Sequence, residues 1–113
     1  MNEEIEKIFE NFIVDGVKIP IGFIKYFGKE ETYLTYQSAG NDPSMASDDQ
    51  IKYSEDTIDI DIYTKGNYLN IMKEIKNKML ANDYVWDGDS PDMYEQDTGY
   101  YHKTISFVKE RVV

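Results

Sequence analysis

The chain has 113 residues, no cysteine and a formal net charge of −10, from 22 acidic against 12 basic residues. No disulfide framework, thiolate nucleophile or cysteine-based zinc site is available to it. With one arginine, Arg111, it also lacks the clustered cations that neutralise duplex phosphates. Residues 1–113 are sized for a single domain with its own core.

No apolar run approaches the ~20 residues needed to cross a bilayer. The start Met1-Asn2-Glu3-Glu4 has the wrong charge for a secretory or organellar signal, so the expectation is a soluble, untargeted chain. Aromatic residues make up 14% of the chain and include ten tyrosines, too many for a disordered acidic tail. Tyrosine suits half-buried sheet positions and protein interfaces alike.

In chain order, residues 3–13 place Ile5, Ile8, Phe9 and Phe12 on one stripe of a helix, with Asn2 as its N-cap and Glu3 and Glu4 in its first turn. Asp15-Gly16 is expected to end that helix. Residues 18–27 read as a strand, and Pro20, which cannot donate to a ladder, assigns it to an edge. Gly28-Lys29-Glu30-Glu31 then turns the chain into Thr32–Gln37, which is expected to return antiparallel as a hairpin. Residues 38–55, with Gly40, Asn41, Asp42, Pro43 and Ser44 and the charged Asp48-Asp49, predict a long loop, either functional or flexible.

The strand 57–64 alternates Ile58, Ile60 and Ile62 with Asp59, Asp61 and Tyr63, so one face belongs to a core and the other to solvent or a partner. Gly66-Asn67 is expected to cap a helix over 68–80 that buries Tyr68, Ile71, Met72, Ile75 and Met79. Tyr84-Val85-Trp86 reads as a short strand, Asp87–Asp92 as a turn, and 99–108 as the strand that closes the sheet. That last strand sets Tyr101, Ile105 and Phe107 against Tyr100, His102, Thr104 and Ser106. The fold class is therefore α+β. It combines an antiparallel, at most mixed, sheet of four to five strands with an N-terminal helix and a second helix packed on it, in the order α-β-β-β-α-(β)-β.

Chemistry is sparse. Asp59 and Asp61 share a strand face, as metal-binding Asp-x-Asp pairs do, but the spacing supplies no further ligands and a solvated face is the expectation. Counted from Asp87, an EF-hand loop would put Pro91 at position 5, Asp92 at the glycine position and Thr98 at position 12, so the match fails. His102 is the only histidine, which excludes two-histidine metal sites; beside Asp97 it reads as structural rather than as a general base. There is no phosphate-cradling glycine loop and no nucleophile elbow. No catalytic residue, metal or cofactor is expected.

The strand Ile58–Tyr63, the helix start Thr64-Lys65-Gly66-Asn67-Tyr68 and the late strand Gly99–Phe107 carry a resemblance. Together they resemble the tail-terminator, or tail-to-head joining, proteins of long-tailed bacteriophages and prophages. That resemblance implies a structural virion-assembly subunit without catalytic residues. Such a subunit is made in the host cytoplasm and forms a ring, expected to be a hexamer, at the head–tail junction. The ring would cap the tail-tube protein, dock the head-completion or connector protein, and leave a lumen for DNA without binding it specifically. Its interface or lumen residues would come from Asp42, Asp48, Asp49, Tyr53, Asp59, Asp61, Tyr63, Tyr100 and His102. The alternative is a small acidic binding or inhibitory module: an immunity protein, an antitoxin or a DNA mimic.

Overall fold

The computed structural model describes residues 2–43 and 53–112, with the side chains of 41–43, 53 and 112 outside that description. Its elements, numbered in chain order, are α1 (Asn2–Ile8), β1 (Ile13–Val14), β2 (Val17–Lys18), β3 (Ile21–Phe23), β4 (Tyr33–Pro43), β5 (Tyr53–Thr64), α2 (Leu69–Ala81), β6 (Val85–Asp89), β7 (Met93–Glu95) and β8 (Tyr100–Val112). The class is α+β. The main sheet has six strands, more than the four to five expected, in the order β3-β4-β5-β8-β6, with β7 also paired to β8. β1 and β2 form a separate small hairpin.

β5 is central because its alternation is the strictest in the chain. Ile58, Ile60 and Ile62 are fully buried, and they pack with Leu34 and Tyr36 of β4 and with Ile105 and Phe107 of β8. α2 closes over this face with Ile71, Ile75 and Met79, and α1 adds Ile5 and Ile8. Both helices thus lie on one side of the sheet. The sheet outruns them: β4, β5 and β8 are 11, 12 and 13 residues long, and the molecule measures 51 × 27 × 23 Å.

Several expectations are corrected. α1 ends at Ile8 rather than near residue 13, because the chain turns at Asn11, whose φ is +56°. Phe9 and Phe12 stay in the core from that turn, edge to face at 5.1 Å. Asp15-Gly16 does not end a helix. It is the two-residue turn of the β1–β2 hairpin, with φ of +53° and +80°, the backbone that Asp-Gly favours.

β3 pairs with β4 in parallel, so no antiparallel hairpin forms there. The chain leaves β3 at Ile24 (φ +64°) and residues 24–32 carry it back, so it enters β4 in the direction in which it entered β3. Pro20 precedes this edge strand, as its missing donor requires, and its carbonyl accepts from the Leu34 amide at 2.9 Å. Residues 38–43 and 53–55, expected in a loop, belong to β4 and β5, which pair out to Pro43–Ser54. A bulge beside Gly40 (φ +136°) absorbs the irregular sequence there. Asp87–Asp89, expected in a turn, continues β6 through a bulge that Gly88 (φ +117°) accommodates.

α2 begins one residue later than expected, with the Asn67 side chain accepting from the Leu69 amide at 2.8 Å. Among the described residues, no helix is long and apolar enough to cross a membrane.

The lone arginine fastens α1 to the end of the sheet. Arg111 on β8 donates to Asp56 of β5 and, at 3.0 Å, to Glu4 of α1, while Lys109 lies 3.7 Å from Glu4. The Tyr84 hydroxyl, 2% exposed as a residue, donates to the same Glu4 carboxylate. Replacing Arg111 by Leu removes a guanidinium from an Asp56 side chain only 8% exposed. It is expected to cost about 1–3 kcal/mol in chemical denaturation, with Lys109→Leu costing less.

Candidate functional site

The face of the sheet opposite the helices is built by register. Tyr33, Tyr63 and His102 form one cross-strand row over β4, β5 and β8; Thr35, Asp61 and Thr104 form the next; Gln37, Asp59 and Ser106 form a third. Five of the residues singled out from sequence, Asp59, Asp61, Tyr63, Tyr100 and His102, therefore meet on one face. Asp42 and Tyr53 lie on the far ends of β4 and β5, where side chains are not described, and Asp48 and Asp49 fall outside the described residues.

The carboxylates are engaged within the sheet. Asp61 accepts from His102 Nε2 at 3.2 Å, from Thr104 Oγ1 at 2.5 Å and from Thr35 Oγ1 at 3.4 Å. A carboxylate partner assigns the proton of that contact to Nε2. Ser106 Oγ donates to Asp59 at 2.6 Å. The Thr35, Thr104 and Ser106 hydroxyls are thus turned to carboxylates and the imidazole to Asp61, an arrangement that holds strands together rather than activating a nucleophile. Among the described residues, no three His, Cys, Asp or Glu side chains converge as metal ligands.

The aromatic row is stacked. Tyr26 lies on Tyr33 at 4.9 Å, Tyr33 on Tyr63 at 4.9 Å and Tyr63 on His102 at 4.3 Å, all within 26° of parallel, with Tyr100 edge-on to Tyr33 at 6.0 Å. Burial raises the Tyr63 and Tyr33 hydroxyls above the ordinary tyrosine value, and the nearby Glu95 carboxylate adds to the rise in both. Beside the row runs a shallow open groove of about 390 Å³, walled by Ile24–Phe27 on one flank and Glu95 and Thr98 on the other.

Sequence reasoning missed Tyr26, Tyr33 and Thr35 as members of this face. The alternation of Thr32–Gln37 held the signal, but a loop expected over 38–55 left the β4–β5 register unassigned, so Tyr33 could not be set opposite Tyr63.

The two lateral flanks of the sheet differ. On the β3 side, Phe23, Ile24 and Phe27 are exposed, Phe27 to 90%. On the β6–β7 side, Val85, Trp86, Met93, Tyr94 and Tyr101 are exposed. Trp86 is braced by Lys76, 4.5 Å from its ring centre, and its indole N–H donates to Asp89 at 2.8 Å. No protein-family model and no curated protein sequence matches the chain.

Proposed function

We propose that the chain is a subunit of the ring that terminates the tail tube of a long-tailed phage or prophage and joins it to the head connector. The observation that carries this reading is the open sheet face. It is left uncovered by both helices, and its two carboxylates, Asp59 and Asp61, accept from Ser106, Thr104, Thr35 and His102. Such a face suits the wall of a passage for DNA. Its charge repels phosphate, and its engaged hydrogen-bonding groups offer the passing duplex little to hold. A net charge of −10 extends that repulsion over the whole subunit. The tail-tube and connector proteins are the partners of this assembly, and the virion is its location.

A DNA mimic or inhibitory module would instead present carboxylates outward in the spacing of phosphates. Asp59 and Asp61 are drawn into the sheet by four side-chain donors between them, which counts against that role for this face.

Light scattering after size exclusion, with and without the tail-tube protein of the same phage, tests the proposal. A ring near six times the 13.2 kDa chain, seen by electron microscopy as a cap on tube ends, is the expected result. A stable monomer that leaves tube ends growing would sink it.

A further inference from the structure

We infer that residues 24–31 form a strap over the open face of the sheet that opens and closes while the rest of the fold stays intact, hinged at Ile24 and latched by Tyr26. Closed, the strap is one wall of the groove described above and covers a face of the Tyr33 ring. Open, it leaves that ring bare and the groove without that wall. The strap belongs to the single chain and is independent of the ring reading.

Its attachment is weak. Residues 24–31 contain no helix or strand, and all of them are exposed except Tyr26, which is half-buried. Ile24 is 53% exposed and Phe27 90%, so neither anchors the strap in the core. Tyr26 does the holding: its ring stacks on Tyr33 at 4.9 Å and its hydroxyl donates to Glu30. Glu31 and Lys65, 4.0 Å apart and open to solvent, add little. A segment with so few buried contacts opens at far lower cost than the core beneath it.

The hinge is strained. The Lys25 N–H donates to the Phe23 carbonyl at 2.6 Å across Ile24, whose φ is +64°. A three-residue bond with positive φ at its centre is the rare form of the γ-turn, and a β-branched residue suits it badly. With its side chain largely in solvent, Ile24 has little packing to offset the cost. Lifting the strap relieves that strain, so the latch holds the closed state against it.

Closure also requires a close approach of backbones. Gly22 of β3 pairs with Thr35, and the turn brings the Lys25 carbonyl so near Gly22 that a methyl group there would overlap it. A methyl group at Gly28 would likewise overlap the Tyr26 hydroxyl. Glycine at both positions lets the strap lie down.

Hydrogen exchange at the Lys25 amide, followed by NMR in the full chain, tests the inference, with the Ile62 amide of β5 reporting global unfolding. In the wild type, Lys25 should exchange at least about a hundredfold faster than Ile62. Tyr26→Ala removes the latch and should quicken Lys25 about tenfold, leaving Ile62 nearly unchanged. Gly22→Ala should act in the same direction through the overlap, and circular dichroism checks that both variants fold. Ile24→Gly should slow Lys25 about fivefold, because the closed turn is no longer strained. Ile60→Ala, which loosens the core, should quicken Ile62 and leave Lys25 as it was.

Lys25 and Ile62 amides that exchange together, and quicken together in Ile60→Ala, overturn the inference, since the strap then opens only when the whole chain unfolds. Exchange at Lys25 that is the same in wild type and Tyr26→Ala overturns the latch. Faster exchange in Ile24→Gly overturns the strained hinge.

Discussion

Ile60→Ala should destabilise the chain by about 2–5 kcal/mol, a large share of the ~5–15 kcal/mol that holds a typical domain together. Ile60 is fully buried at the middle of β5, and its register partners, Tyr36 on β4 and Ile105 on β8, are buried with it. Truncation removes three carbons from a site bounded by two strands and by the helical layer, so collapse around the cavity is resisted on every side. The next residue offers the control. Asp61 is on the open face with its side chain 13% exposed, and Asp61→Asn keeps one carbonyl acceptor for the threonine hydroxyls. That change should cost only about 1 kcal/mol. Urea unfolding of the two variants measures the contrast. Equal losses would mean that the open face contributes to stability as the core does, which would contradict the separation of faces described above.

The legible part of this fold was the part with a strict period. Ile58, Ile60 and Ile62 announced the central strand, Ile71, Ile75 and Met79 the helix above it, and Ile105 and Phe107 the strand beside it. Each rests on alternation at two or at 3.6 residues, and burial follows that alternation directly. The failures share a different cause: backbone conformations that side-chain pattern does not encode. Asn11 and Ile24 take positive φ without being glycine, and they shorten α1 and send the chain into a parallel rather than an antiparallel pairing with β4. Gly40 and Gly88 looked like loop residues because glycine usually marks turns. Here each sits at a bulge, so strands run on through sequence that reads as irregular. The open face was half legible for the same reason. Asp59, Asp61, Tyr63, Tyr100 and His102 could be placed on their own strands, but Tyr33 and Thr35 join them only once the register across β4 is known.

Alkaline pH should unfold the chain more steeply than its composition suggests, through two buried tyrosines. Tyr36 is 1% exposed and donates to Glu6 at 2.6 Å; Tyr84 is 2% exposed and donates to Glu4. Burial first, and then the hydrogen bond to a carboxylate, raises both hydroxyls well above the ordinary value of 10.0. A group whose folded pKa is raised contributes stability that is whole below its unfolded pKa and is lost as pH climbs toward the folded one. The window therefore opens near pH 10, where the unfolded chain releases protons that the folded chain keeps. Each such tyrosine should remove about 1.4 kcal/mol per pH unit above that point. Lysines as a class titrate in the same range, so the tyrosine share is isolated by comparison. Tyr36→Phe and Tyr84→Phe should each flatten the alkaline limb by one proton while costing about 1 kcal/mol at neutral pH for the lost hydrogen bond. Glu4 sets the opposite limb. Burial pushes its carboxyl up, but hydrogen bonds from Tyr84 and Arg111 and the charges of Arg111 and Lys109 outweigh that and hold it below 4.5. The stability it contributes is present above that value and fades as pH falls through its folded pKa. Equilibrium denaturation between pH 3 and 12, wild type against the two phenylalanine variants, reads both limbs. Parallel alkaline limbs in all three proteins would show that neither tyrosine is held protonated by the fold.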